Sequence, residues 1–178
     1  MPVFRESERG EVELVEMIWG FIPAFIKEEH PKLRPINARA ETVHTKPYFR
    51  EAIEHHRCVL PATGYYEWQR EAVEKTPYHI HLPSGRGFFM AGIWSYREGI
   101  DEVPTVAILT TAANSELEAI HDRQPAVIPH KLLTSWLEAP SGQSLLPFPP
   151  GAFVAERIGT KINSARYEGP SLIQPIRH

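Results

Sequence analysis

Apolar residues in this chain recur mostly at every second position, and runs with helical spacing are few. Between residues 11 and 19, Val12, Leu14 and Ile18 share one parity while Val15, Met17 and Trp19 share the other. Such a run predicts a strand buried on much of both faces. Further strands are expected at 57–61, 64–69, 77–82, 88–95, 104–111, 124–128 and 152–158. Pro83-Ser84-Gly85-Arg86-Gly87, between two of these, has the composition of a hairpin loop. Pro47 can occupy the first turn of a helix reaching His55, with Phe49, Ala52 and Ile53 on its inner face. Asn114 or Ser115 can cap a short helix to about His121, with Glu118 near its positive end. Pro129 opens a third helix, from His130 to Glu138, that buries Leu132, Leu133 and Trp136. The stretch 139–151, rich in Pro, Gly and Ser, reads as a surface loop. Strands with a few inserted helices, and no strict strand–helix alternation, predict an α+β fold with a mostly antiparallel sheet. There is no internal repeat and no linker, so residues 1–178 are expected to form a single domain.

Length and composition narrow this picture. With 178 residues and 42% hydrophobic content, the chain can bury one substantial core. A charged fraction of 23% is ordinary for a globular protein and argues against disorder. The formal net charge of −3 gives no bulk basicity, so any nucleic-acid contact has to come from a local patch. The single cysteine, Cys58, excludes an internal disulfide and suits a reducing compartment. No apolar run approaches the roughly 20 residues of a membrane span, and the opening Met1-Pro2-Val3-Phe4-Arg5-Glu6 does not read as a signal peptide. The expected setting is soluble and cytoplasmic, nucleoid-associated if the source is bacterial, with no membrane and no obligate protein partner.

Three polar islands stand out from their apolar surroundings. In Gly64-Tyr65-Tyr66-Glu67-Trp68, a carboxylate flanked by aromatics is partly desolvated if its strand is central. That raises its pKa and suits acid–base work. The segment also reads as an edge strand whose glutamate faces water. In Ile120-His121-Asp122-Arg123-Gln124-Pro125, an imidazole at a helix carboxyl end can hold a proton, Asp122 can orient it, and Arg123 offers a planar fork to a phosphate. A helix-terminating histidine beside a solvated ion pair is the plainer alternative. Asn37 and Arg39, with Lys32 and Arg34 close by, can contact a phosphate backbone or simply line a solvated loop. Trp19 and Phe21, in Trp19-Gly20-Phe21-Ile22-Pro23, can stack on unpaired bases or belong to the core. His79 and His81 share a strand face, a spacing compatible with a metal. Neither HExxH nor a cysteine pair accompanies them, so no metal and no cofactor is expected. Cys58 lies in an apolar strand without a local activating motif and reads as a buried structural thiol.

Taken together, these segments resemble the SOS-response-associated peptidase (SRAP) family of abasic-site processing proteins. The resemblance rests on Trp19-Gly20-Phe21-Ile22-Pro23, Asn37-Ala38-Arg39-Ala40-Glu41-Thr42, Pro47-Tyr48-Phe49-Arg50 and Arg57-Cys58-Val59-Leu60-Pro61. It continues through Gly64-Tyr65-Tyr66-Glu67-Trp68, Phe89-Met90-Ala91-Gly92-Ile93-Trp94, Ile108-Leu109-Thr110-Thr111-Ala112-Ala113-Asn114 and Ile120-His121-Asp122-Arg123, closing on Gly159-Thr160-Lys161-Ile162-Asn163-Ser164.

The resemblance implies an α+β fold around a β-barrel-like sheet and a groove for single-stranded DNA. It also implies covalent capture of abasic sites by a cysteine exposed when the initiator methionine is removed, whose amine and thiol close a thiazolidine on the sugar aldehyde. The resemblance places catalytic roles on Asn37, Glu67 and His121 and phosphate contacts on Arg39 and Arg123, and the residues themselves add Trp19 and Phe21 as candidate DNA-stacking aromatics. Against that pattern, this chain opens Met1-Pro2-Val3, without the family's Met-Cys-Gly-Arg segment. A start assigned too far downstream, a shortened gene or a divergent DNA-binding member each explains the difference. Cys58 cannot substitute, because an internal cysteine has no free α-amine. The expected function is abasic-site sensing and processing on single-stranded DNA, with crosslinking or lyase activity and self-removal of methionine. The alternatives are a non-catalytic single-stranded DNA-binding module and a peptidase acting on other proteins.

Overall fold

Seventeen prolines and eleven glycines keep every element short. The computed structural model describes residues 1–70, 75–138 and 145–176. In chain order the elements are β1 (Pro2–Glu6), β2 (Val12–Glu16), β3 (Ile18–Trp19), β4 (Asn37–Arg39), α1 (Arg50–His55), β5 (Arg57–Ala62) and β6 (Gly64–Arg70). They continue with β7 (Lys75–His81), β8 (Phe88–Ser95), β9 (Thr105–Ala112), β10 (Arg123–Pro125), β11 (Val127–Ile128), α2 (Leu133–Glu138) and β12 (Val154–Arg157). Two units emerge, each woven from three stretches: Met1–Pro61, Phe88–Thr111 and Pro125–Leu146 in the first, and Ala62–Gly87, Ala112–Gln124 and Pro147–His178 in the second.

The first unit is organised by β9, whose residues Thr105 to Thr111 are all buried. β8 runs antiparallel to it, Gly92 opposite Ile108 and Ser95 opposite Thr105. β5, β1 and β2 follow outward from β8. β3 and β4 instead run parallel to β9, with Trp19 opposite Val106, Asn37 opposite Ile108 and Arg39 opposite Thr110. The sheet ends on β2 and does not close into a barrel. Phe21, Ile53, Val59, Ile93, Leu109 and Trp136 are central to its core, each large side chain contributing about 1.5–3 kcal/mol by burial. Two polar anchors tie helices to the sheet: the Trp136 indole N–H donates to the Cys58 carbonyl at 2.9 Å, and Arg57 Nε donates to the Ile53 carbonyl at 2.8 Å.

The second unit holds a three-stranded antiparallel sheet with β7 between β6 and β12. Tyr66 and Glu156 both face His79 across the ladder, and Glu67 faces Tyr78. Since side chains alternate along a strand, Tyr65, Glu67 and Gln69 share one face of β6, and Tyr66 and Trp68 the other. Tyr65 packs edge-on to Phe153, centroids 6.1 Å apart, and Phe153 on Phe148 at 5.3 Å.

The α+β class and the mostly antiparallel pairing match the sequence reading, while several local expectations do not. The 11–19 run is not buried on both faces: Val12 and Leu14 are 61% and 59% exposed, because β2 has a sheet neighbour on one side only. Pro83–Gly87 is not a hairpin loop, since β7 and β8 belong to different sheets. The 124–128 strand is broken into β10 and β11 around Ala126, whose N–H donates to the Leu109 carbonyl and whose carbonyl accepts from Ala91. The first helix begins at Arg50 rather than Pro47, and residues 115–120 form successive turns in place of a helix. The third begins as a 3₁₀ turn, His130–Leu132, which leaves Leu132 exposed while Trp136 alone is fully covered. Of the expected 139–151 loop, 139–144 lie outside the described residues, and 145–151 are irregular.

Gly92 marks the tightest approach in the first unit. A Cβ there would meet Leu60 Cδ1 at 2.5 Å, Cys58 Sγ at 2.9 Å and the Ala107 carbonyl oxygen at 3.2 Å. Gly92→Ala is expected to lower unfolding stability by about 1–3 kcal/mol through overpacking. Urea denaturation would measure it, and an unchanged midpoint would show that β5 and β8 can separate freely.

Candidate active site

Glu67 is held at the middle of β6 by the ladder to β7, and the period of the strand turns it to the same face as Gln69. That repeat, rather than the flanking aromatics, sets its surroundings: Tyr66 and Trp68 project to the opposite face, where the Trp68 indole donates to Asn163 Oδ1 at 2.6 Å. β6 is an edge strand of its sheet, yet the Glu67 side chain is only 24% exposed. Burial pushes its carboxyl above the ordinary carboxylate range. The nearby His121 and the Trp68 backbone N–H pull the other way, and Asp122 adds to the rise.

His121 comes to this carboxylate on a closed loop. Asn114 Oδ1 accepts from the Glu116 and Leu117 N–H groups, both at 3.0 Å, starting the turns as a capping residue does. The far end is clasped where Ala113 N–H donates to the Asp122 carbonyl at 3.0 Å and Asn114 N–H to Gln124 Oε1 at 2.9 Å. Gln69 then fastens the loop to β6. Its Oε1 accepts from the Tyr78 hydroxyl at 3.1 Å, which turns its Nε2 to donate to the Ala119 carbonyl at 2.8 Å. The result places His121 Nδ1 4.0 Å from Glu67 Oε1 and 3.4 Å from Asp122 Oδ1. His121 and Asp122 also line an open cleft of about 370 Å³ with Gln69, Glu118, Ala119 and Ile120.

The hydrogen bonds around the His121 ring depend on where its proton sits. Neutral His121 accepts the Arg123 backbone N–H at Nδ1, 3.0 Å away, which puts its ring proton on Nε2. Protonated His121 can instead donate from Nδ1 to the Arg123 carbonyl at 3.2 Å, with two carboxylates close by. Gain of a proton at Nδ1 therefore exchanges the bond from the Arg123 N–H for one to a carbonyl or carboxylate oxygen, which takes a turn of the ring away from that N–H.

The other expected site residues lie in the first unit. β4 alternates outward, inward, outward, so Asn37 and Arg39 are exposed on one face while Ala38 enters the core. Trp19 stands beside them, 46% exposed, its indole donating to the Ile36 carbonyl at 2.7 Å. Phe21 does not join this strip. It is 1% exposed and its ring is packed at 6.0 Å from Tyr48 and 5.5 Å from Phe49, so no face is left to stack on a base. Arg123 is half-buried in the second unit. Cys58 is fully buried and its thiol is pushed well above the usual range, as expected of a structural cysteine. Gln69, Asn163 and Gln124 were missed by the sequence reading. The alternation that places Gln69 beside Glu67 was legible, whereas the pairing of Asn163 with Trp68 spans 95 residues and carries no local signal.

The family model for SOS response associated peptidase (SRAP) matches residues 1–165. The chain belongs to the SRAP family. It is 36% identical over 171 residues to the abasic site processing protein YoqW of Bacillus subtilis, covering 90% of this chain and 76% of that one. It is 32% identical over 180 residues to the abasic site processing protein YedK of Escherichia coli, covering 96% and 79%. A crystal structure of a protein from Bacteroides thetaiotaomicron superposes with a TM-score of 0.85 at 32% identity, covering 99% of this chain and 81% of that one. The matched SRAP region contains Glu67, His121 and the β4 strip alike. Among the described residues, no helix is long and apolar enough to cross a membrane.

The raised Glu67 pKa has a consequence for stability. A folded state that holds this proton better than the unfolded chain gains stability at acid pH and loses it as pH rises through the raised value. Glu67→Gln is therefore expected to match the parent protein below the ordinary carboxylate range and to be the more stable of the two at neutral pH. A thermal-melting series across pH checks this, and a variant less stable at neutral pH would contradict it.

Proposed function

We propose that this chain processes abasic sites in DNA, that its substrate is single-stranded, and that Glu67 and His121 move the protons. The observation that carries the reading is the half-buried carboxyl, held above its usual range 4.0 Å from an imidazole nitrogen. Relatives named abasic site processing proteins support the substrate class.

An abasic sugar rests as a closed hemiacetal and reacts as the open aldehyde. Opening requires a proton to leave the C1′ hydroxyl and another to reach O4′ as the C1′–O4′ bond breaks. A carboxylate with a raised pKa is the better base for the first transfer, and imidazolium Nε2–H is a suitable acid for the second. Glu67 ends protonated and His121 neutral. Return of the proton from Glu67 to its neighbour restores both groups. The family resemblance implies capture of that aldehyde by an amino-terminal cysteine, a group that the sequence opening Met1-Pro2-Val3 does not supply. Trp19 offers a face to an unpaired base, Asn37 a carboxamide to a nucleotide oxygen, and Arg39 and Arg123 their guanidiniums to phosphates.

The exposed Trp19–Asn37–Arg39 strip favours a second reading, a module that holds single-stranded DNA without reacting. An oligonucleotide carrying one abasic site separates the two. Processing predicts a heat- and detergent-resistant adduct or strand cleavage, faster on single strands than on duplex. Glu67→Gln and His121→Ala should each slow it by about 10²–10⁴-fold with DNA retention preserved. Salt-sensitive retention with no abasic-dependent product would leave only the binding module. Separately, Arg39→Ala should weaken retention of all sequences alike and reduce the slope of log affinity against log salt by about 1.

A further inference from the structure

The face of the second unit's sheet that turns away from Glu67 carries a cluster the proposed chemistry does not use. His79 and His81 sit two residues apart on β7, and Glu156 on β12 lies directly across the ladder from His79. Their donor atoms all lie within 4.8 Å of one another, and all three residues are half-buried. Among the described residues no other group of three such side chains is gathered this way. The two imidazoles are stacked, centroids 4.8 Å apart and planes 24° from parallel, with the Tyr66 ring 5.7 Å from His79. Room for them comes from Gly64: a Cβ there would collide with His79 Nε2 and lie 2.9 Å from the Ile80 carbonyl oxygen.

The hydrogen bonds around His81 indicate what the cluster is for. Its Nδ1 is 2.9 Å from the Leu82 carbonyl, which can only accept, so Nδ1 carries a proton. In the neutral ring Nε2 is then a bare lone pair, aimed at Glu156 Oε2 3.2 Å away. A lone pair facing a carboxylate at that distance calls for a cation between or beside them. A second ring proton would serve the His81–Glu156 pair, but it would give His79 no part. A metal ion engages all three. An imidazole fixed through Nδ1–H to a backbone carbonyl is also the usual outer support of a metal-bound histidine. Tetrahedral ligands about 2.0–2.2 Å from an ion are spaced much as His81 Nε2 and Glu156 Oε2 already are at 3.2 Å, and the widest separation, within 4.8 Å, has to close by side-chain rotation.

We propose that His79, His81 and Glu156 bind a divalent transition-metal ion of the zinc type, fastening β12 to β7 on the face opposite Glu67. Two imidazoles and one carboxylate suit zinc and its first-row neighbours and do not suit magnesium or calcium, which prefer all-oxygen shells. The fourth position is open to water.

Zinc titration of the intact protein by calorimetry tests this, with cobalt substitution as an independent readout. One equivalent of Zn²⁺ should bind and raise the melting temperature. The Co²⁺ form should show the strong visible absorption of a tetrahedral site. Glu156→Gln and His81→Ala should each weaken binding by about 10-fold or more, with folding checked by circular dichroism, whereas His55→Ala, a surface control, should leave it unchanged. No stoichiometric zinc binding, a Co²⁺ spectrum lacking that absorption, or affinity indifferent to Glu156→Gln would each overturn the proposal. DNA processing by the zinc-free protein is a separate measurement, so the two readings stand or fall independently.

Discussion

A carboxylic acid kept largely out of water is the constraint from which the second unit is built. Left alone, a buried Glu67 would either stay protonated or destabilise the fold. The architecture answers with a partial counterweight: an imidazole at 4.0 Å and a backbone N–H from Trp68. Delivering that imidazole requires the closed loop at 113–124, and the loop stays in place through Gln69, whose amide is oriented at one end by Tyr78 and holds Ala119 at the other. Each step is a neutral hydrogen bond worth about 0.5–1.5 kcal/mol net. Together they hold the imidazole beside a carboxyl whose proton burial retains more tightly than usual.

The two units carry different kinds of side chain. The second concentrates titratable groups and lets burial tune them. The first shows an outward row of stacking and hydrogen-bonding groups, Trp19, Asn37 and Arg39, on short parallel strands fixed against the buried β9. With a net charge of −3 the chain has no general attraction for DNA. Any affinity for DNA has to come from local groups, and salt then acts on a few contacts.

How much of this was legible in the sequence depended on the reach of each interaction. The alternating runs gave β5, β6, β8 and β9 nearly to the residue, because burial of a strand face leaves its period in the chain. Glu67 and His121 were visible as polar residues in apolar settings, and Asn114 as a cap, all of them local signals. Val12 and Leu14 misled because the apolar pattern cannot say whether a strand has one neighbour or two. Pro83–Gly87 looked like a hairpin since a turn's composition does not reveal which sheet the next strand joins. Phe21 and Trp19, two residues apart, looked alike, and only packing against Tyr48 and Phe49 assigns one to the core. Glu156 could not be connected to His79 and His81 at all, as the pairing of β12 with β7 appears nowhere in local sequence.

Neither unit is contiguous in the chain, since each is assembled from three alternating stretches. During synthesis β6 and β7 leave the ribosome well before the loop that carries His121, and Glu156 of β12 follows 75 residues after His81. The nascent protein therefore passes through a period in which an incomplete sheet with one open edge must avoid pairing with its neighbours. Such distant closures are slow relative to local ones. The thread has an evolutionary consequence as well. No single excision can carry Glu67, His121 and their whole sheet without also taking stretches of the first unit, so the second unit is not readily shuffled as a cassette between genes.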